Sequence, residues 1–412
     1  MQIIVFIYGM YLLTLALFGI RTRMTETSHA PKNRFSILIP AHNEEAVIHK
    51  LVQNLKQQKY PKHLYDIFVI ADNCSDNTAQ IARKNSARVL ERFNDVRKGK
   101  GYALEWALRQ LNLSKGHSHK NRDYDAVVII DADNLVSDNF LDIMNNRLIN
   151  GENVIQSYID SKNPSDTWVT AAFSIMFWLN NRFTLMSRYN TGFSALLAGT
   201  GMCISADVLR EIGWATSTLT EDLEYSTKAL LHNYRTTYAH DARIYDEKPL
   251  NFFTSCRQRL RWARGQIDVA IKYLPKMLFQ GIKEMSIVKI ESALRLCQLF
   301  IIVFAGIILV TSLVQPQWVA ITSIYLHMQS HIPFLGFTLP YMPYIVPIIL
   351  LSLDHPPLKP FRYLLLFPIF AYSWYIIYFY ALFTYKNNSW MPTKHTRDLD
   401  LNHVKSEFYG QG

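Results

Sequence analysis

Asp131 and Asp133 stand two residues apart on the turn that leaves an apolar run, Val127-Val128-Ile129-Ile130. Such a run reads as a buried strand. Both carboxylates therefore leave the same end of one strand and can reach a single hard cation. Magnesium or manganese takes one or two protein carboxylates and completes its shell with water and phosphate oxygens, so a nucleotide diphosphate is the natural third party. The competing reading of an isolated Asp-x-Asp is a turn or a helix cap, where Asp is common. Its place after a buried strand, together with two further polar clusters, favours the cation.

Those clusters are Pro40-Ala41-His42-Asn43-Glu44-Glu45, after the apolar run Phe35–Ile39, and Asp72-Asn73-Cys74-Ser75-Asp76, after Ile67–Ala71. Gly99-Lys100-Gly101 precedes a helix near Tyr102. Glycines let backbone approach a phosphate, and a lysine at a helix start adds charge to the dipole; a flexible basic loop has the same composition. Further on lie Gly199-Thr200-Gly201, Thr220-Glu221-Asp222 and Gln258-Arg259-Leu260-Arg261-Trp262. Glu221-Asp222 could simply favour a helix dipole, and Arg261-Trp262 could be an interfacial anchor pair.

The elements that must position these residues alternate. Apolar runs at Phe35–Ile39, Ile67–Ala71, near Val89 and at Ala126–Ile130 predict strands. Glu45–Gln57, Asn77–Asn85 with Asp76 as its cap, and Gly101–Leu111 predict helices. Strands and helices in alternation predict an α/β fold with a parallel, doubly wound sheet. Ligands then bind beyond the carboxyl ends of the strands, where the three polar clusters sit.

The 412 residues are 49% hydrophobic, with 23 Tyr and 23 Phe, which is more apolar than a soluble enzyme of this size. The excess concentrates at Ile3–Ile20 and after about residue 294, while Arg21–Ser286 reads as water-soluble α/β sequence. No basic residue precedes the first run and no clean cleavage site follows it, which argues for a retained helix rather than a signal peptide. With Arg21 and Arg23 at its exit, the positive-inside rule puts residue 21 onward in the cytoplasm. The net charge of +10 is not read as a nucleic-acid footprint. Arg257, Arg259, Arg261, Arg264, Lys272 and Lys276 are interleaved with apolar residues, which suits anionic lipid headgroups or a diphosphate better than a duplex. Cys74, Cys203, Cys256 and Cys297 lack metal-ligand spacing and read as packing residues.

Taken in order, Pro-Ala-x-Asn-Glu-Glu, Asp-x-x-Ser-Asp, Gly-Lys-Gly-x-Ala-Leu, Asp-Ala-Asp, Gly-Thr-Gly, Thr-Glu-Asp and Gln-x-x-Arg-Trp resemble the family 2 inverting glycosyltransferases. Within these the series is similar to the membrane branch of cellulose, chitin, hyaluronan and poly-N-acetylglucosamine synthases. Trp390-Met391-Pro392-Thr393 is similar to a Trp-x-x-Thr segment that follows the last helix in some of them. The resemblance implies a GT-A-like, Rossmann-type, mostly parallel sheet inserted between transmembrane helices. It implies a UDP-sugar donor, Mg2+ or Mn2+ as cofactor, and these roles: Pro40, Ala41, Asn43, Glu44 and Asp72 on uracil and ribose, Lys100 on uridine or diphosphate, Asp131 and Asp133 on the metal. Asp222 would be the general base. Gly199, Thr200, Gly201 and Glu221 would face the acceptor, and Gln258, Arg261 and Trp262 the pyrophosphate and acceptor. Asn73 departs from relatives with a second Asp there, which puts some nucleotide contacts in doubt, and His42 reads as a variable loop side chain.

The expected organisation is a transmembrane helix over 1–20, a cytoplasmic catalytic domain over 21–252, amphipathic interfacial helices over 253–293, transmembrane helices over 294–385 and a cytoplasmic tail over 386–412, giving a multi-pass cell-membrane enzyme. Apolar runs at Leu294–Val314, about Phe334–Leu353, Arg362–Thr384 and a less regular Trp318–Phe337 give four to five spans in total. Prolines at 333, 340, 343 and 347 make a broken or re-entrant segment an alternative to simple spans. Two acceptors fit: a growing glycan moving outward among the helices, which the sequence reading prefers, or a membrane lipid of diacylglycerol, ceramide or polyprenyl phosphate type. An accessory membrane subunit is compatible with either. A catalytically silent membrane partner that keeps only the fold is disfavoured by the intact Asp131, Asp133, Asp222 and Arg261.

Overall fold

The computed structural model describes residues 2–24, 28–116, 123–315, 330–331, 341–387 and 399–409. Its first helix, α1 (Gln2–Leu17), is followed by β1 (Phe35–Ala41), α2 (Ile48–Lys56), β2 (Tyr65–Asp72), α3 (Thr78–Lys84), β3 (Arg88–Arg92), α4 (Lys100–Gln110) and β4 (Ala126–Ile129). Then come β5 (Leu135–Val136), α5 (Phe140–Ile149), β6 (Val154–Ser161) and α6 (Trp168–Asn180), which runs through a π-helical segment, Asn181–Met186, into α7 (Ser187–Asn190). β7 (Met202–Ser205), α8 (Ala206–Ile212), α9 (Glu221–Leu231) and β8 (Thr236–Asp246) complete the α/β part.

The eight strands form one sheet in the order β3-β2-β1-β4-β7-β6-β8-β5. β3, β2, β1 and β4 are mutually parallel, with Phe35 opposite both Tyr65 and Ala126. The alternation of β1, β2 and β4 sends Ile37, Ile39, Val69 and Val128 into a core with Leu51 and Leu55 of α2 and Met144 of α5. Leu38, Ile70, Val127 and Ile129 go to the opposite face, against Leu104 and Leu108 of α4 and Tyr225 of α9. Burial on both faces is why these strands read as unbroken apolar runs. The second half of the sheet departs from the purely parallel expectation. β7 is antiparallel to both β4 and β6, β5 is antiparallel to β8, and only β6 and β8 pair in parallel. The sheet is GT-A-like, with a parallel half and a mixed half.

The chain then enters α10 (Phe252–Lys283), whose start is capped by Asn251 Oδ1 accepting from Phe253 N at 2.8 Å and Thr254 N at 3.4 Å. α11 (Ile287–Val314), α12 (Met342–Asp354), a 3-10 segment Lys359–Leu366 continuing into α13 (Phe367–Thr384), and α14 (Leu401–Tyr409) follow. By length and composition, Ile287–Ser312 and Lys359–Thr384 could each cross a membrane. α1 has 16 residues, about 24 Å of rise against a hydrocarbon core of roughly 30 Å. It stops short of Ile20 because Phe18, Gly19 and Ile20 each bond back three residues, to the carbonyls of Leu15, Ala16 and Leu17. Prolines 333 and 340, most of the run 318–337 and the segment 390–393 lie outside the described residues.

Buried charges fasten the helices to the α/β part. Arg188 of α7 pairs with Glu291 of α11 at 2.9 Å, and Glu291 also accepts from Tyr11 of α1 at 2.7 Å. Arg182 pairs with Asp354 at the end of α12, and both are almost fully buried.

Candidate active site

β4 ends at Ile129, and the turn after it carries Asp131 and Asp133 to the carboxyl edge of the sheet, where a cavity of about 710 Å³ opens. Asp133 is buried and Asp131 half-exposed. Lys162, itself buried, donates to the carbonyl of Asp133 at 2.8 Å, and Asn134 Nδ2 donates to Asp133 Oδ1 at 3.3 Å and Asp246 Oδ1 at 3.1 Å. Among the described residues no three His, Cys, Asp or Glu side chains are grouped to cage an ion. Two hard carboxylates at an open cavity wall still fit magnesium or manganese, which take the rest of their shell from phosphate and water.

Lys100, the first residue of α4, reaches across this edge. Its ammonium is 2.5 Å from Asp131, 3.6 Å from Glu221, and donates to the Gly199 carbonyl at 2.7 Å. Burial works against its charge, but Asp131, Glu221 and Asp222 outweigh that and push its pKa up to about 12. Asp222, in the first turn of α9, lies in the same wall; its Oδ1 accepts from Leu223 N at 2.8 Å. Burial first, and Glu221 second, raise its pKa to about 7, against the lowering influence of Leu223 N, Lys100 and Arg261. A carboxylate with a pKa near neutrality is suited to accept a proton.

Asp72, at the end of β2, forms a buried pair with Arg92 at the end of β3, its cross-strand neighbour in the register. Burial raises the Asp72 pKa even so. Arg92 also donates to the Arg97 carbonyl, tying the loop that leads to Lys100 to the same carboxylate. His42 lines the cavity, with its Nδ1 2.8 Å from the Asp72 carbonyl. Neither Arg92 nor this placement of His42 was apparent from the motifs, although the parallel pairing of β2 with β3 carries the signal for Arg92.

Gly199 has φ +86, and a Cβ there would lie 3.4 Å from Asp222 Oδ2. Thr200 Oγ1 donates to Asn134 at 2.5 Å and accepts from Asp131 N at 3.1 Å, which ties this turn to the aspartate loop. Gly201, at φ +65, faces Ser157 and Ile244 and does not line the cavity. Asn43 does not line it either; its Oδ1 accepts from Ser75 N at 2.8 Å and joins the first two loops.

Pro40, Ala41, Glu44, Asp72, Lys100, Asp131, Asp133, Gly199, Thr200, Glu221, Asp222, Gln258, Arg261 and Trp262 all line one cavity. The last three come from α10, where spacings of three and four put them on one face with Gln266. Arg259 lies on the other side of α10, buried, and donates to Ser373 Oγ at 2.7 Å and the Phe370 carbonyl at 3.2 Å. Beyond Trp262 the wall is made by α6, α11 and α13, through Met176, Leu299, Ile302, Trp374, Tyr375 and Tyr378. The cavity is therefore charged at the sheet edge and apolar and aromatic among the long helices.

A family model described as Glycosyltransferase like family 2 matches residues 31–265, more than half of the chain and every motif from Pro40 to Trp262. The chain belongs to this family. This glycosyltransferase is 24% identical over 389 residues to probable glycosyltransferase YdaM of Bacillus subtilis, covering 89% of this chain and 88% of that one. It is 27% identical over 251 residues to beta-monoglucosyldiacylglycerol synthase of Trichormus variabilis, covering 58% of this chain and 50% of the relative. Poly-beta-1,6-N-acetyl-D-glucosamine synthase of Staphylococcus epidermidis is 24% identical over 272 residues, with coverage of 61% and 59%. The match thus spans only half to three-fifths of these last two relatives. Among solved structures, mannosyltransferase PcManGT from Pyrobaculum calidifontis, in complex with GDP-Man and Mn2+, aligns at a TM-score of 0.49 and 19% identity, over 64% of this glycosyltransferase and 72% of that chain.

Proposed function

We propose that this glycosyltransferase moves a sugar from a UDP-sugar, with inversion, onto a hydroxyl of an acceptor that enters from the membrane helices. The observation that carries this reading is the single cavity in which Asp222, with a pKa of about 7, lies between a charged end and an apolar end. Pro40, Ala41, Glu44 and Asp72 hold the uridine, with Asn43 acting through the loop it braces. Asp131 and Asp133 hold magnesium or manganese, which when bound supplies positive charge beside the diphosphate. Lys100 and Arg261 add fixed charge in a sheltered site, where it offsets what develops on departing UDP. The acceptor oxygen attacks the anomeric carbon as its bond to UDP breaks, and Asp222 takes the hydroxyl proton. The monoglucosyldiacylglycerol and poly-N-acetylglucosamine relatives both bear β-linked products in their names; a β linkage made from an α-linked donor requires inversion.

In this reading residues 1–20 and 294–385 are membrane segments, 253–293 lies at the headgroup level, and the domain 21–252 with the tail 386–412 faces the cytoplasm. α1 and α13 support it by exposing large apolar side chains, Ile3, Ile7 and Met10 on the first and Ile376 and Phe383 on the second, which water disfavours. Two relatives bracket the acceptor. Leu296, Leu299, Ile302 and Ala371 at the helix end of the cavity favour a lipid. Trp262, Trp374 and Tyr378, flat faces on which sugar rings stack, favour a growing glycan as the second reading. Incubating purified membranes with a panel of UDP-sugars and Mg2+ or Mn2+, then sizing the product, separates them. A single glycolipid band supports the first, a ladder of long chains the second, and no transfer from any UDP-sugar refutes both.

A further inference from the structure

Arg295 lies on α11 in the wall of the cavity, 8% exposed. Its Nη1 donates to the carbonyls of Ser194 at 2.6 Å and Ala195 at 3.3 Å, and its Nη2 to Ser292 Oγ at 3.1 Å. Its Nε is buried without a partner, and it forms no ion pair among the described residues. Glu291, one turn earlier on α11, gives its Oε1 to Arg188 and Tyr11, while its Oε2 is buried and makes no hydrogen bond to Arg295 or any other group among the described residues. Two arginines and one glutamate therefore leave a net positive charge beside the cavity, away from water. An uncompensated buried charge is costly to a fold, and one that borders a ligand cavity calls for an anion on the ligand.

Its place in the cavity says which ligand. Toward the sheet, the strand of chain that Arg295 holds leads from Ala195 to Gly199, which abuts Asp222; four residues reach at most about 14 Å. Toward the long helices, Leu299 and Ile302 continue along α11 and face Ala371 and Tyr375 of α13. The cation thus stands between the proton acceptor and the apolar end. We propose that the acceptor is a phosphate-bearing lipid, its phosphate paired with Arg295, its tail along α11 and α13, and its hydroxyl presented to Asp222. This rests on the function proposed above and narrows the acceptor: neutral diacylglycerols and free neutral glycans offer Arg295 hydrogen-bond acceptors but no negative charge to compensate its own. A bidentate guanidinium suits a phosphate better than a point-charge ammonium does.

The test is calorimetry on the full chain in detergent, with dihexanoyl phosphatidylglycerol, dihexanoylglycerol, a cello-oligosaccharide and inorganic phosphate as probes. The expected result is that the phosphate-bearing lipid binds at least tenfold more tightly than the neutral one. Arg295→Met should bring the two within threefold, with UDP affinity in manganese unchanged. Should Arg295→Met fail to fold, Arg295→Lys takes its place and should weaken the charged lipid alone. Equal binding of the two lipids, discrimination that survives in the variants, phosphate alone binding as tightly as the charged lipid, or binding of the oligosaccharide only would each overturn the proposal. Failure of the wild-type chain to bind UDP would instead overturn the parent reading.

Discussion

Lys100 and Asp131 are paired at 2.5 Å across the mouth of the cavity, and the same ammonium donates to Gly199, the residue that abuts Asp222. One lysine therefore couples the aspartate loop after β4 to the helix that carries the candidate base. Lys100 is among the groups that hold the Asp222 pKa down, against burial and Glu221. Replacing it by Ala should push that pKa further up. A base works only when deprotonated, so the acidic limb of the kcat/KM profile, which reports the free enzyme and is expected near pH 7 in the wild type, should move to higher pH in Lys100→Ala. A pH profile whose limb stays in place would separate Lys100 from Asp222.

Asp222→Asn should reduce transfer by about 10² to 10⁴-fold, the usual contribution of a positioned proton acceptor, and leave UDP affinity in manganese within about threefold. The same substitution should stabilise the free protein. The folded pKa is about 7 and the ordinary carboxyl value 3.8, so between them the folded state holds a proton that the unfolded state has lost. Stability from this group is therefore full below about pH 4 and falls as pH rises toward 7. At pH 8 the neutral amide should melt higher than the wild type, while at pH 4 the difference should vanish. Paired melting curves at the two values check the sign, and a variant less stable at pH 8 contradicts it.

How far the sequence could be read divides along a physical line. Strand ends were legible because β1, β2 and β4 are buried on both faces and each stops at a polar cluster; Asp72, Asp131 and Pro40 follow directly from those runs. Asp76 was legible only in part: the N-cap position falls on Asn77, one residue later, and Asp76 Oδ1 accepts from Thr78 N, the first residue of α3, at 3.0 Å. β7 was not. Four residues long and antiparallel between β4 and β6, it owes its place to pairing, which leaves no periodic trace. The cavity wall beyond Trp262 was equally hidden, because Tyr378 reaches Gln266 from 112 residues away. Arg295 falls inside the apolar run Leu294–Val314 with no motif around it, so nothing in the sequence singles it out.

Removal of the divalent ion should separate binding from folding. Asp131 is paired with Lys100 and Asp133 accepts from Asn134, partners supplied by the chain itself, so chelation with EDTA should leave the melting temperature of the free chain nearly unchanged. It should abolish measurable UDP uptake, and manganese or magnesium should restore it. Asp133→Asn should weaken UDP binding in metal tenfold or more, since a neutral amide is a poorer ligand for a hard cation. UDP titrations with and without EDTA check both statements, and metal-independent binding would remove the ion from the donor site.

Arg92 gives the sharpest distinction between a positioning residue and a contact. It is buried, pairs with Asp72 and holds the Arg97 carbonyl, yet it does not line the cavity. Truncation in Arg92→Ala leaves the Asp72 carboxylate buried without its partner, which should destabilise the chain by roughly 3 kcal/mol. Nucleotide affinity should fall as well, because Asp72 and the loop toward Lys100 lose the same anchor. The double variant Arg92→Met with Asp72→Asn removes both charges together. Apolar and neutral replacement of a buried pair is often close to neutral, so the double variant should recover most of the stability and none of the UDP affinity. A double variant that binds UDP normally would show that Asp72 is structural and that uridine is held elsewhere; one that stays as unstable as Arg92→Ala would show that the Arg97 carbonyl, rather than the ion pair, is what Arg92 secures.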